Sequence, residues 1–269
     1  MGIVEIITKS LKETIKLKRF LPFFLLYLLF SLCCIIFLLP TLQIMPSVLS
    51  FRQPTISAGI VIVNLSATFI IFIIVILTNL WFTGALIFDI QTNTGFDLGL
   101  KHSQKLYIRI LGISFLVFVL NLLSTVLERI SFVIRILIDW VFMFSIPAII
   151  IKKDSFENAI LRSYKIVRKN IIKTFVFYIL VVLISSLILI TGIFFSALII
   201  FPLVSKIIKT ISFFEINRAQ LAQIASLLID NYISLILASV ILSFFFSISH
   251  VFNYTSKTKF FLKYLRKRI

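Results

Sequence analysis

Six apolar runs, each long enough to cross a bilayer as a helix, occupy about residues 20–40, 56–82, 106–126, 130–151, 171–201 and 228–250. A hydrocarbon slab about 30 Å thick takes roughly 20 helical residues. A backbone inside it must satisfy its own hydrogen bonds, which leaves helices or closed barrels. None of the runs alternates polar and apolar residues with period two, so barrel strands are excluded. The expected fold class is an all-α integral membrane protein, one polytopic domain over residues 1–269 with six transmembrane helices. Composition agrees: 60% of the residues are hydrophobic, more than a soluble chain of this size covers with polar surface.

The links between the runs set the orientation. Five Lys and Arg precede the first run (Lys9, Lys12, Lys16, Lys18, Arg19), and three lie in the second link (Lys101, Lys105, Arg109). Seven fall between Lys152 and Lys173, and six follow from Lys257 onward. The alternate links carry Arg52 alone, then Arg129 and Arg135, then Lys206, Lys209 and Arg218. One face therefore collects 21 of the 27 basic residues. The positive-inside rule puts that face in the cytoplasm, with both termini, in a multi-pass cell-membrane protein. The same bias explains the net charge of +17 without nucleic acid, because cationic loops stay inside and meet anionic headgroups there. No nucleic-acid-binding module is visible. Phe20–Leu39 exceeds the apolar core of a signal peptide and lacks a following small-x-small site, so it reads as a retained first span.

Two segments outside the spans have helical amphipathicity. In Met1–Lys18, Ile3, Val4, Ile7, Leu11 and Ile15 share one face, opposite Glu5, Lys9, Lys12 and Lys16, as in an interfacial helix. After span four, Asp154 is placed to cap a second helix, with Glu157 as its N3 partner. Phe156, Ile160, Tyr164, Val167 and Ile171 line one face of that helix, and Arg162, Lys165, Arg168 and Lys169 project elsewhere. The spacing predicts a basic amphipathic cytoplasmic helix between spans four and five. Pro40, Pro46 and Pro54 predict an irregular outer loop over Thr41–Thr55, Gly95 and Gly99 a turn before span three, and Glu128-Arg129 a tight hairpin. Asn217 is placed to cap a helix entering span six.

The stretch PAIIIKKDSFENAILRSYKIVRKN, Pro147–Asn170, resembles a group of six-span prokaryotic membrane proteins related to the membrane domain of glycerophosphoryl diester phosphodiesterases. Pro147, Ala159, Arg162, Ser163, Tyr164 and Asn170 carry the resemblance, and Lys169 stands where a glycine often precedes the asparagine. It implies six spans and an interfacial N-terminal helix rather than an activity. With two histidines and no paired-carboxylate loop, the phosphodiesterase chemistry of the two-domain relatives is not expected.

Few ionisable residues fall inside the runs. A charge at the bilayer centre costs about 2.5–3.5 kcal/mol on the insertion scale, so Arg135 and Asp139 in span four need an explanation. They form either an ion or substrate contact in the bundle, or an i,i+4 pair near the outer interface. His250 closes the Ser243–Ser247 face and is either a proton-handling group or an interfacial residue at the cytoplasmic edge. No nucleophile elbow, Walker-type loop, zinc motif or dinucleotide fingerprint occurs, so neither enzyme nor cofactor nor metal site is expected. The expected function is that of a non-enzymatic accessory or membrane-organising protein. Its Arg162, Lys165, Arg168 and Lys169 would contact anionic lipid headgroups or an acidic protein partner. The alternative is a small transporter or channel using Asp139, Asn64, Asn121 and His250.

Overall fold

The computed structural model describes residues 2–48, 54–210 and 218–266. Within them every element is helical: α1 Ile3–Thr14, α2 Leu17–Val48, α3 Pro54–Thr92, α4 Phe96–Ser124, a 3₁₀ turn Thr125–Ile130, α5 Ser131–Phe142, α6 Ser145–Lys152, α7 Phe156–Lys169, α8 Ile171–Thr210, α9 Arg218–Asp230 and α10 Tyr232–Arg266. Five stretches among the described residues are long and apolar enough to cross a membrane: Leu17–Ile44, Ala58–Thr92, Phe96–Lys152, Ile171–Thr210 and Tyr232–Leu265. The third of them bends back on itself. Leu127 and Glu128 leave helical dihedrals inside the 3₁₀ turn, and α4 and α5 then run antiparallel. Asn121 Nδ2 donates to Asp139 Oδ1 and Arg135 Nε to Ser124 Oγ, each at 3.2 Å.

Three local expectations change. Helix α2 continues through Pro40 and Pro46 to Val48, and α3 starts at Pro54. The expected irregular loop over Thr41–Thr55 is therefore helical over 41–48 and 54–55, and its remainder, 49–53, lies outside the described residues. Apolar surroundings reward a helical backbone even across proline, and Pro54 sits at a first helical position, where its missing N–H costs nothing. The sixth apolar run is divided at Asn231, whose Nδ2 donates to Leu227 O at 2.7 Å. Helix α10 then passes His250 and continues to Arg266. The cap of α7 is Ser155, accepting from Asn158 N at 3.5 Å, rather than Asp154. Asn217 lies outside the described residues.

The chain divides into two compact units, Met1–Phe23 with Leu77–Leu187 and Ile248–Ile269, and Phe24–Ile76 with Ile188–Ser247. In the first, α4 lies directly on α3 because Gly99 has no side chain: a Cβ there would sit 2.5 Å from Ala85 O. Arg19, 3% exposed, donates to Asp89 Oδ2 at 2.6 Å and to Asn93 Oδ1 at 3.1 Å, and pairs with Glu13. Lys259 of α10 completes this knot, reaching Glu13 Oε1 at 2.8 Å. Phe260 stacks between Phe144 and Phe177, with centroids 5.4 and 4.2 Å away. In the second unit, Gly192 lies where a Cβ would come within 2.4 Å of Phe245 Cβ, and Ser196 donates to Ala238 O at 3.1 Å.

Candidate functional site: a polycationic cavity at the α7–α8 corner

Helix α6 stops because Lys153 takes left-handed dihedrals, φ 56° and ψ 29°. Arg109 of α4 fixes the resulting corner, donating to the carbonyls of Lys153 and Asp154 at 3.0 and 3.2 Å. Asp154 is engaged by Arg162, whose Nε and Nη2 donate to its two oxygens at 2.5 and 3.0 Å. A bidentate, charge-assisted pair outcompetes the backbone amide that a capping carboxylate would accept.

The face of α7 that packs inward is Ala159, Ser163 and Val167, four residues apart and all buried. Of the stripe expected from periodicity only Val167 belongs to it: Phe156 and Tyr164 are exposed, and Phe156 lies over Gly112, within 3.3 Å of where a Cβ would stand. Small residues allow α7 to approach closely. Ser163 gains most from that approach. The α5–α6 junction at Met143–Phe144 leaves backbone groups unpaired, and the Ser163 hydroxyl serves two of them. It donates to Val141 O at 2.5 Å and accepts from Phe144 N at 3.2 Å.

The opposite side of α7 borders a cavity of about 630 Å³. Arg162, Lys165, Lys169 and Lys173 line it, with Asn158 and Asn170 between them and Tyr264 of α10 closing one side. Asp154 matches the charge of Arg162. No ion pair reaches Lys165, Lys169 or Lys173 among the described residues, so the cavity keeps a surplus of positive charge. Such a concavity, with several ammonium donors converging, suits an oxyanion with more than one acceptor.

Three of the four basic residues singled out from the sequence thus share one cavity; Arg168 is not among its lining residues. Lys173 was legible as the next helical step after Lys169 but counted only among the seven basic residues of its link. Tyr264 had no sequence signal, since it arrives from a distant helix. The intramembrane candidates part company. Arg135 and Asp139 do not pair with each other; they bond to Ser124 and Asn121 of α4. His250 lies within α10, its Nε2 2.9 Å from Thr83 Oγ1 and its ring centroid 4.8 Å from that of Phe23. It packs where α2, α3 and α10 meet.

No protein-family model matches the chain, and neither the curated proteins nor the solved structures yield a match. The fold and the site define a class: an all-helical chain with helices fit to cross a membrane and a cationic cavity at one corner.

Proposed function

We propose that the protein crosses the membrane six times with both termini in the cytoplasm, and binds anionic phospholipid headgroups in the cavity at the α7–α8 corner. The observation that carries this reading is the convergence of Lys165, Lys169 and Lys173 with Arg162 on one space. Lysines on a solvated face repel one another and spread; here the helix phase of α7 and the start of α8 bring them together. No ion pair reaches the three lysines among the described residues, and a phosphate would supply one. The cavity adjoins Ile171 and Ile172, both exposed, where α8 begins its apolar course. Headgroups and acyl chains would therefore each find complementary surface. Attraction to an anionic leaflet is worth about 1 kcal/mol per basic residue.

The sixth crossing is supported by the α4–α5 hairpin, which folds the long Phe96–Lys152 stretch into two passes. Helix α1 supports an interfacial role, because Val4, Leu11 and Ile15 remain exposed while its other face packs inward. The resemblance over Pro147–Asn170 points to the same architecture. The activity we propose is accessory: organising or recruiting anionic lipid.

The test is native mass spectrometry of the full chain from nanodiscs containing phosphatidylglycerol. The triple variant Lys165→Gln/Lys169→Gln/Lys173→Gln should retain less of that lipid, and added salt should weaken wild-type retention. Arg168→Gln should leave retention intact. Equal retention by the triple variant sinks the reading, and equal loss in Arg168→Gln reduces it to diffuse surface charge.

A further inference from the structure

A second cavity, about 340 Å³, lies within the first unit among α3, α4, α5, α6, α8 and α10. Much of its wall is apolar, including Leu80, Val117, Ile146 and Val182. Into this setting α5 brings a carboxylate, Asp139, and α10 brings an ammonium, Lys257, with Ser114, Asn253, Tyr178 and Tyr254 completing the polar lining. Asp139 is about 12 Å along α5 from its first residue at 1.5 Å per residue, far from either end of the α5–α6 pass.

The acid and base face the same space yet remain apart. Asp139 accepts a hydrogen bond from Asn121 and forms no ion pair with Lys257. Lys257 lies within electrostatic reach of Asp139 but makes no ion-pair contact and no hydrogen bond among the described residues; its Nζ stands 5.4 Å from the Tyr254 ring centroid. Ser114 Oγ and Asn253 Oδ1 are shielded from solvent and also have no partner. Unpaired charges and orphaned polar atoms in apolar surroundings are expensive. Lys257, Ser114 and Asn253, three such groups around one space beside the hydrogen-bonded Asp139, are explained together by something that fills it.

We propose that this cavity binds a small zwitterion, its ammonium against Asp139 and its oxyanion against Lys257, with Ser114 and Asn253 taking the remaining polar contacts. The volume is at the lower end of small-ligand sites. The shared chemistry belongs to two sources, the headgroup of an ethanolamine phospholipid and a free amino-acid-like solute. The proposal does not depend on the cationic cavity at α7, which lacks a carboxylate free to receive an ammonium.

The full chain in neutral detergent would be titrated calorimetrically with phosphorylethanolamine and with glycine, and separately with ethanolamine and with inorganic phosphate. In parallel, nanodiscs containing phosphatidylethanolamine would be examined by native mass spectrometry. A zwitterion should bind, and each half-charged probe should bind about tenfold more weakly or worse. Asp139→Asn and Lys257→Gln should each lower zwitterion affinity by a similar factor, with the thermal midpoint reporting that they remain folded. Should either variant fail to fold, Ser114→Ala, which changes no charge, should still weaken binding. Binding of the soluble probes assigns a solute ligand; retention of the intact lipid alone assigns the headgroup. Absence of zwitterion binding in both arms overturns the proposal, as does undiminished binding by the folded charge variants.

Discussion

At Ser163 one hydroxyl joins a broken pass to the helix beside it. Without it, Val141 O and Phe144 N would be unpaired in a buried setting, at a cost of about 1–3 kcal/mol for each such group. Ser163→Ala should therefore lower unfolding stability by about 2 kcal/mol or more. Ser155→Ala, which removes a long cap on an exposed helix end, should cost at most about 1 kcal/mol. Denaturant titration of both variants in the same detergent checks the difference. The glycines offer a second contrast. Gly99→Ala forces a Cβ into the Ala85 carbonyl, and only a helix shift relieves it, whereas a Cβ at Gly59 meets nothing within 4 Å. Gly59→Ala should be neutral or stabilising by up to about 1 kcal/mol, and Gly99→Ala destabilising; thermal midpoints would show opposite signs. Ser163 was visible in the sequence as part of a resemblance, but its role was not. A serine's partners are backbone groups two helices away, and nothing local announces them.

Helices tell the same story one level up. Periodicity found α1 and α7 but not which stripe of each meets protein. In α1 the packed residues are Ile6, Ile7, Ser10 and Thr14, and Val4, Leu11 and Ile15 face outward. Hydrocarbon and a protein core reward the same side chains, so an apolar face does not say which of them it touches. Polar anchors break the tie, as Arg19 does at the start of α2. Arg19→Ala would leave Asp89, itself 6% exposed, without its buried cation and should cost about 3 kcal/mol or more. Glu13 adds a pH signature. Burial pushes its pKa up, but Lys259 and Arg19 outweigh that and hold the carboxyl below its ordinary value. A lowered folded-state value stabilises fully above the unfolded value, and this contribution is lost as pH falls through the folded one. Wild-type protein should lose thermal stability on acidification across that window. Glu13→Gln should start less stable and show a shallower acid dependence.

Across the whole molecule, run length carried the reading furthest, because it is a local quantity that a helix of membrane-crossing length displays directly. Reporter fusions to the two ends should report the cytoplasm from both; opposite compartments would exclude an even number of crossings. The cavities were much less legible. Asp139 stood out as an isolated intramembrane charge, but Lys257 looked like one more residue of a basic tail. Tyr264 likewise joined the α7 lysines only after α10 proved to run on past His250. Sites assembled from helices far apart in sequence have no signature in either segment alone.

The contact between Glu13 and Lys259 has a consequence in time. Translation delivers Glu13 long before Lys259, so α1 spends that interval without the last part of its seat. During that interval the inward residues Ile6, Ile7, Ser10 and Thr14 also lack their full set of neighbours. Formation of the Glu13–Lys259 contact is then a late event.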